Sequence, residues 1–241
     1  MSEEGIRVSW YGRCCFLVED AGRKVLFDPY DAFCNVEMGR VNADILVSSS
    51  TWHDHGHIGA SPSAYVFTYP GKYEHNGIVI TGIEALEERG SPTVIFNIQL
   101  GEFSITNFAD FGPSQEAVFE RKLDVEMREV LMSTNIAFVR PMIKGEVVRE
   151  KNEHVENYTK YCSPLIIFPE HYFPQSFIAE QVPVAEKSRF EKPSLVVDEM
   201  LESLGLPKKE VQSYFVDIKK RDLTKKEAWK FMRLHPQVVY R

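Results

Sequence analysis

The sequence predicts a mixed α/β protein, sheet-rich in its first half and with strands alternating with helices in its second. Two observations carry this. Up to about residue 110, short apolar runs follow one another with turn residues between them. After Pro113 the apolar spacing becomes near-helical, and short strands are then separated by longer polar or amphipathic segments, as in βα units laid against a second sheet. A chain of 241 residues fits one large domain or two small ones.

Taken in order, residues 6–10, 14–18 and 24–27 are strand candidates, separated by Tyr11-Gly12 and Asp20-Ala21-Gly22 and stopped by Asp28-Pro29. Residues 44–49 form the next, followed by 65–68 and 78–83, with Tyr69-Pro70-Gly71 and Asn76-Gly77 as turns. Residues 93–100 and 103–109 read as a hairpin around Gly101. A helix is expected over 114–132, where Val118, Leu123, Met127 and Leu131 recur at near-helical spacing and Ser114 is available as N-cap. Strands follow at 136–139 and 165–168. From Lys192 the composition changes. Residues 194–204 are amphipathic and closed by Gly205, residues 208–221 are basic with Tyr214 and Phe215 interleaved, and Thr224-Lys225-Lys226-Glu227 is a capping-box pattern before Trp229, Phe231 and Met232. This tail is expected to be a packed helical appendage with a solvated basic face.

A hydrophobic content of 44% with 26% charged residues suits a globular chain with a sizeable core. The formal charge of −7 disfavours a nucleic-acid partner. No apolar run approaches the roughly 18 residues of a membrane span, and the acidic start Met1-Ser2-Glu3-Glu4 is unlike a signal peptide, so no membrane association is expected. Cys14, Cys15, Cys34 and Cys162 contain no CxxC pair, and adjacent residues of a strand face opposite sides; a reducing cytoplasm is the simplest compartment.

The chemistry concentrates in Trp52-His53-Asp54-His55-Gly56-His57-Ile58-Gly59, directly after the apolar run Ile45-Leu46-Val47. In an extended segment alternate side chains point the same way, so His53, His55 and His57 are expected to close on one ion. Two further loops that follow apolar strands carry Asp110 and His171. Ligand sites collect at the carboxyl ends of strands. Imidazoles with a carboxylate suit a cation such as zinc, and a carboxylate can bridge two ions. Asp28 either supports this site from behind or caps a turn. His75, His154 and His235 lie in polar surroundings and read as surface residues, while Cys15 and Cys162 read as core.

Several segments together resemble the metallo-β-lactamase superfamily, nearest its small metal-dependent hydrolases that include the ascorbate-6-phosphate lactonase-like proteins. They are Trp10-Tyr11-Gly12-Arg13-Cys14-Cys15-Phe16, Leu26-Phe27-Asp28-Pro29, residues 44–59, Asn107-Phe108-Ala109-Asp110-Phe111-Gly112 and Ile167-Phe168-Pro169-Glu170-His171-Tyr172, in the family's order and spanning roughly residues 6–175. The resemblance implies a four-layer αββα sandwich over residues 1–191, with residues 192–241 as a helical C-terminal extension packed on it. It also implies metal ligands: His53, His55, Glu87 and Asp110 for one ion, and His57, Asp110 and His171 for a second. The sequence departs from the family pattern at three places. The aspartate expected after Gly56 is missing; Leu86-Glu87 stands where a histidine is expected, so that Glu87 or Glu88 would substitute; and Arg13 replaces the histidine of the opening motif, with Asn107 where some members have another histidine. A carboxylate in place of an imidazole shifts preference from zinc towards manganese or iron.

The activity so implied is hydrolysis of an ester, lactone, amide or phosphodiester in a small-molecule substrate by a metal-bound hydroxide, with zinc as one or two ions. Asp110 and Asp54 are the catalytic carboxylates in this reading, and Arg13 is a further candidate beside them. The missing ligands favour an alternative, a member that has lost turnover and serves as a binding or scaffold protein. Nucleic-acid processing is a weaker third, carried only by the basic tail. Exposed edge strands could also pair two copies into a homo-oligomer.

Overall fold

The structure is a computed structural model that describes residues 5–32, 36–87, 89–112, 115–138, 165–167, 215–219, 230–232 and 239–240. The strands are β1 (Gly5–Gly12), β2 (Cys15–Asp20), β3 (Arg23–Phe27), β4 (Val36–Glu37), β5 (Ile45–Val47), β6 (Tyr65–Phe67), β7 (Gly71–His75), β8 (Ile78–Leu86), β9 (Pro92–Leu100), β10 (Phe103–Asn107), β11 (Ile136–Phe138), β12 (Leu165–Ile167), β13 (Phe215–Lys219), β14 (Lys230–Met232) and β15 (Val239–Tyr240). The helices are α1 (Glu116–Lys122) and α2 (Val125–Met132), between β10 and β11.

Two mixed sheets make the frame. The first has the order β13-β1-β2-β3-β5-β6 and the second β14-β12-β11-β10-β9-β8-β7. Alternation along the strands decides how they meet. Val8, Trp10, Phe16, Phe27 and Val47 of the first sheet and Ile80, Phe96, Ile98, Ile105 and Phe138 of the second belong to one buried cluster. Phe138 is its hinge, stacked on Phe16 at 4.1 Å between ring centroids and set edge-on to Phe27 at 5.4 Å. The opposite faces of β2, β3 and β5 carry Cys15, Leu17, Leu26 and Leu46, which Tyr30, Met38, Val41 and Ala60 cover. The loops after β3 and β5 are thereby packed down on the sheet rather than left in solvent.

Most strand expectations are met to within a few residues; three others need correction. β7 was not expected, because Gly-Lys-Tyr-Glu-His is polar and lies exposed at the sheet edge, where pairing with β8 and the Asn76-Gly77 turn (both at positive φ) hold it. The single helix over 114–132 is two helices. Leu123 is extended, and the Asp124 carboxylate accepts from the Met127 N–H at 2.7 Å and starts α2 afresh. In the tail, the described residues are strands rather than helices: β13 pairs antiparallel with β1, β14 pairs parallel with β12, and β15 pairs with β4. Phe231 and Met232 therefore stand on a strand of the second sheet, because register with β12 outweighs the local capping signal. The helix expected over 194–204 lies outside the described residues. Among the described residues, no helix is long and apolar enough to cross a membrane.

Candidate metal centre

The loops that follow β3, β5 and β10 and the turn between β1 and β2 meet at one end of the sheets. Asp28 leaves β3 with φ of 43°, and its N–H donates to the Val47 carbonyl at 3.0 Å, which ties it to the end of β5. Its carboxylate is fully buried and saturated. Oδ1 accepts from the Ser49 N–H at 2.7 Å, and Oδ2 accepts from Asn107 Nδ2 at 2.6 Å. The same Oδ2 lies 3.3 Å from His55 Nδ1, which is also 3.3 Å from Ser49 Oγ. Asn107 returns through its own Oδ1, accepting the Ala109 N–H at 3.1 Å and shaping the positive-φ turn that presents Asp110.

His55 is therefore fixed on its Nδ1 side and presents Nε2 to the other carboxylates. Nε2 is 3.4 Å from Asp110 Oδ2 and 3.8 Å from Asp54 Oδ2. Burial works against a charged imidazole, yet Asp28 and then Asp110 outweigh it and hold His55 well above an ordinary histidine. On the far side of Asp110, Cys14 Sγ is 3.9 Å from Oδ1. One donor atom each from Cys14, His55 and Asp110 lies within 4.8 Å of the other two. Sulfur, imidazole nitrogen and carboxylate oxygen are a donor set that zinc accepts, and a carboxylate behind the ligating histidine is the usual support of such sites. The residues present thus fit one cation.

Arg13 closes the rim. Its guanidinium stands 3.9 Å from Asp54 Oδ2, and its positive-φ turn is held by the Trp10 indole N–H donating to the Arg13 carbonyl at 2.8 Å. The adjacent cysteine has a different setting: Cys15 belongs to the apolar cluster on the other face, where burial and then Asp28 push its thiol up. Neither cysteine is in a disulfide.

The expected histidine triplet does not converge. Residues 53–55 form a turn, with the His55 and Gly56 N–H groups both donating to the Trp52 carbonyl, so the period-2 argument for an extended segment does not apply. His53 is exposed and pairs through Nδ1 with Asp31 at 2.7 Å. His57 is exposed, and its ring folds over Gly59. Glu87 joins the neighbourhood through its backbone, which bridges Phe111, and stands outside the Cys14, His55 and Asp110 group. His171 lies outside the described residues. Of the sequence-derived candidates, the structure brings together His55, Asp110, Asp54 and Arg13. The residues missed were Cys14 and the Ser49 and Asn107 partners of Asp28. Their one sequence signal was position, directly beyond or at a strand end in the segments that carried the resemblance.

Two sheets with side chains that could hold a metal gathered at their strand ends define a class, and the comparisons agree. Residues 7–132, just over half of the chain, match the beta-lactamase superfamily domain, and the chain belongs to that superfamily. Among solved structures it is similar to a Thermotoga maritima protein of the metallo-beta-lactamase superfamily whose name proposes a Zn-dependent hydrolase. The TM-score is 0.62 at 18% identity, covering 95% of this chain and all of the other. It is also similar to Igni18, a metallo hydrolase of Ignicoccus hospitalis, with a TM-score of 0.51 at 14% identity over 89% of this chain and 99% of that one. At such identities the likeness is one of fold. In sequence, 58 residues are 41% identical to the UPF0173 protein PF0020 of Pyrococcus furiosus; the match spans 24% of this chain and about a quarter of that relative's length.

Proposed function

We propose that the chain is a metal-dependent hydrolase of small-molecule substrates. The observation that carries this reading is His55, buried, braced on Nδ1 by Asp28 and turned with Nε2 towards Asp110. Two acidic side chains facing a buried imidazole from both sides are costly to keep for packing alone. They suit a position meant to receive a cation. When bound, that cation supplies Lewis acidity and a more acidic water to a hydrolytic step.

The chain's own groups have separate parts in this. Asp28 holds the orientation of His55 through Nδ1 and leaves Nε2 as the atom that would meet a cation in exchange for its proton. Asp54, a quarter exposed and 3.8 Å from His55 Nε2, is the carboxylate placed to take a proton from an attacking water and to return it to the leaving oxygen. Arg13, on the same rim, supports an oxygen that gains negative charge. The resemblance to lactonase-like proteins makes lactones the first substrates to try, with other esters, amides and phosphodiesters after them.

The outward-facing His53 and His57 favour a second reading, a fold retained for binding without turnover. Elemental analysis of untagged protein, with hydrolysis of a lactone and phosphodiester panel, separates the two. Bound zinc with turnover that His55→Ala and Asp54→Asn remove supports the hydrolase. Absence of metal after soaking with zinc, or bound metal without turnover on any substrate, counts against it.

A further inference from the structure

We propose that Cys14 is itself a metal ligand, so that a thiolate, His55 Nε2 and the Asp110 carboxylate form a single-cation site that selects thiophilic ions. This rests on the metal-dependent reading above and deepens it by naming the donor set. The distances already approach those of a bound ion. Zinc bonds of about 2.0–2.1 Å to nitrogen and about 2.3 Å to sulfur, in a tetrahedron, put neighbouring donor atoms about 3.3–3.7 Å apart. The observed separations are 3.4 Å from His55 Nε2 to Asp110 Oδ2 and 3.9 Å from Cys14 Sγ to Asp110 Oδ1, and one donor atom of each of the three residues lies within 4.8 Å of the other two.

The local backbone aims the sulfur there. The register of β1 against β2 shifts between Trp10 and Gly12, and Gly12 and Arg13 both adopt positive φ, so the chain turns before β2 begins. Cys14 falls on that turn and faces Asp110, while Cys15 begins β2 and enters the apolar cluster behind it. Two adjacent cysteines thus take opposite roles. A thiolate at this point also replaces donors that the histidine loop withholds, since His53 and His57 are exposed and stand outside the group. Three protein donors leave one position of a tetrahedron for water or substrate, the arrangement of catalytic rather than structural zinc sites. Sulfur in the set favours zinc over manganese, against the preference that a carboxylate in place of histidine would create.

Cobalt(II) titration of the full chain under reducing conditions tests this, because a thiolate ligand adds a charge-transfer band in the near ultraviolet. Wild-type protein and a Cys34→Ser/Cys162→Ser variant are expected to show the band, saturating at one ion per chain. Cys14→Ser should lose the band and bind at least ~100-fold more weakly, beyond what loss of a supporting partner costs. His55→Ala should lose binding altogether, and a large excess of manganese should leave the wild-type band in place. Cobalt bound by wild-type protein without the band overturns the thiolate ligand and leaves the metal-dependent reading standing; so does a band unchanged in Cys14→Ser. Failure of wild-type protein to bind any cation overturns both. The wild-type band needs no substitution, so the test holds even where a variant fails to fold.

Discussion

Asp28 Oδ2 lies 3.3 Å from His55 Nδ1, and both side chains are shut off from solvent. The two come from loops after different strands of the first sheet, joined where β3 runs parallel to β5. Asn107, at the end of β10 in the second sheet, donates to the same Asp28 oxygen at 2.6 Å. One carboxylate therefore links both sheets to the imidazole that carries the candidate centre.

That link makes Asp28→Asn informative. An amide keeps the shape but removes the charge behind His55. Zinc affinity, measured by competition with a chromophoric chelator, should fall about 10–100-fold, as for other partners of ligating histidines. Unchanged affinity would show that Asp28 serves packing alone.

The histidine loop is expected to divide its labour unequally. His53→Ala should leave metal content unchanged, since His53 is exposed and paired with Asp31, whereas His55→Ala should abolish it. Loss of metal in His53→Ala would mean that the loop turns His53 inward when an ion arrives.

The pairing of β13 with β1 carries an acid-sensitive contact. The Arg7 guanidinium donates through Nε and Nη2 to the Asp217 carboxylate, at 2.7 and 3.0 Å, and lowers the Asp217 pKa below its ordinary value of 3.8. A lowered carboxylate pKa means that the stabilisation is present above the unfolded value and lost as pH falls through the folded one. Both side chains are about half exposed, so solvent screening keeps the contribution small, about 0.2–1 kcal/mol at neutral pH. Asp217→Asn should be less stable than wild type by that amount in urea at pH 7, with the two curves converging in strong acid. A difference that persists in strong acid would assign the effect to something other than this ion pair.

The break between α1 and α2 depends on a single cap. Asp124→Ala removes the acceptor for the Met127 N–H and should destabilise the protein by about 0.5–2 kcal/mol, with Asp124→Ser recovering most of the loss. A neutral Asp124→Ala would show that packing of Leu131 alone positions α2.

How much of this was visible in the chain varies by element. The apolar strands β1, β2, β3, β5, β8, β9 and β10 were legible, because burial on one or both faces writes itself as alternation or as short apolar runs. β7 was not, since an exposed edge strand needs no hydrophobic pattern. The helix break escaped notice because Leu123, Met127 and Leu131 keep helical spacing across it. The tail was misread for a similar reason. Pairing with β1 and β12 comes from residues more than 60 positions away, and a window of local propensity cannot see it.

The candidate site shows the same boundary. Sequence by itself pointed to the superfamily, to the strand ends at which candidate ligands collect, and to His55 and Asp110 as candidates among them. Only the tertiary structure decided which donors share a point in space. Spacing of two residues implies a common direction only while the backbone is extended, and the Trp52 carbonyl bends that backbone into a turn. His53 and His57 therefore diverge, while Cys14 and Asp110, 96 residues apart, are brought to 3.9 Å by the meeting of two sheets.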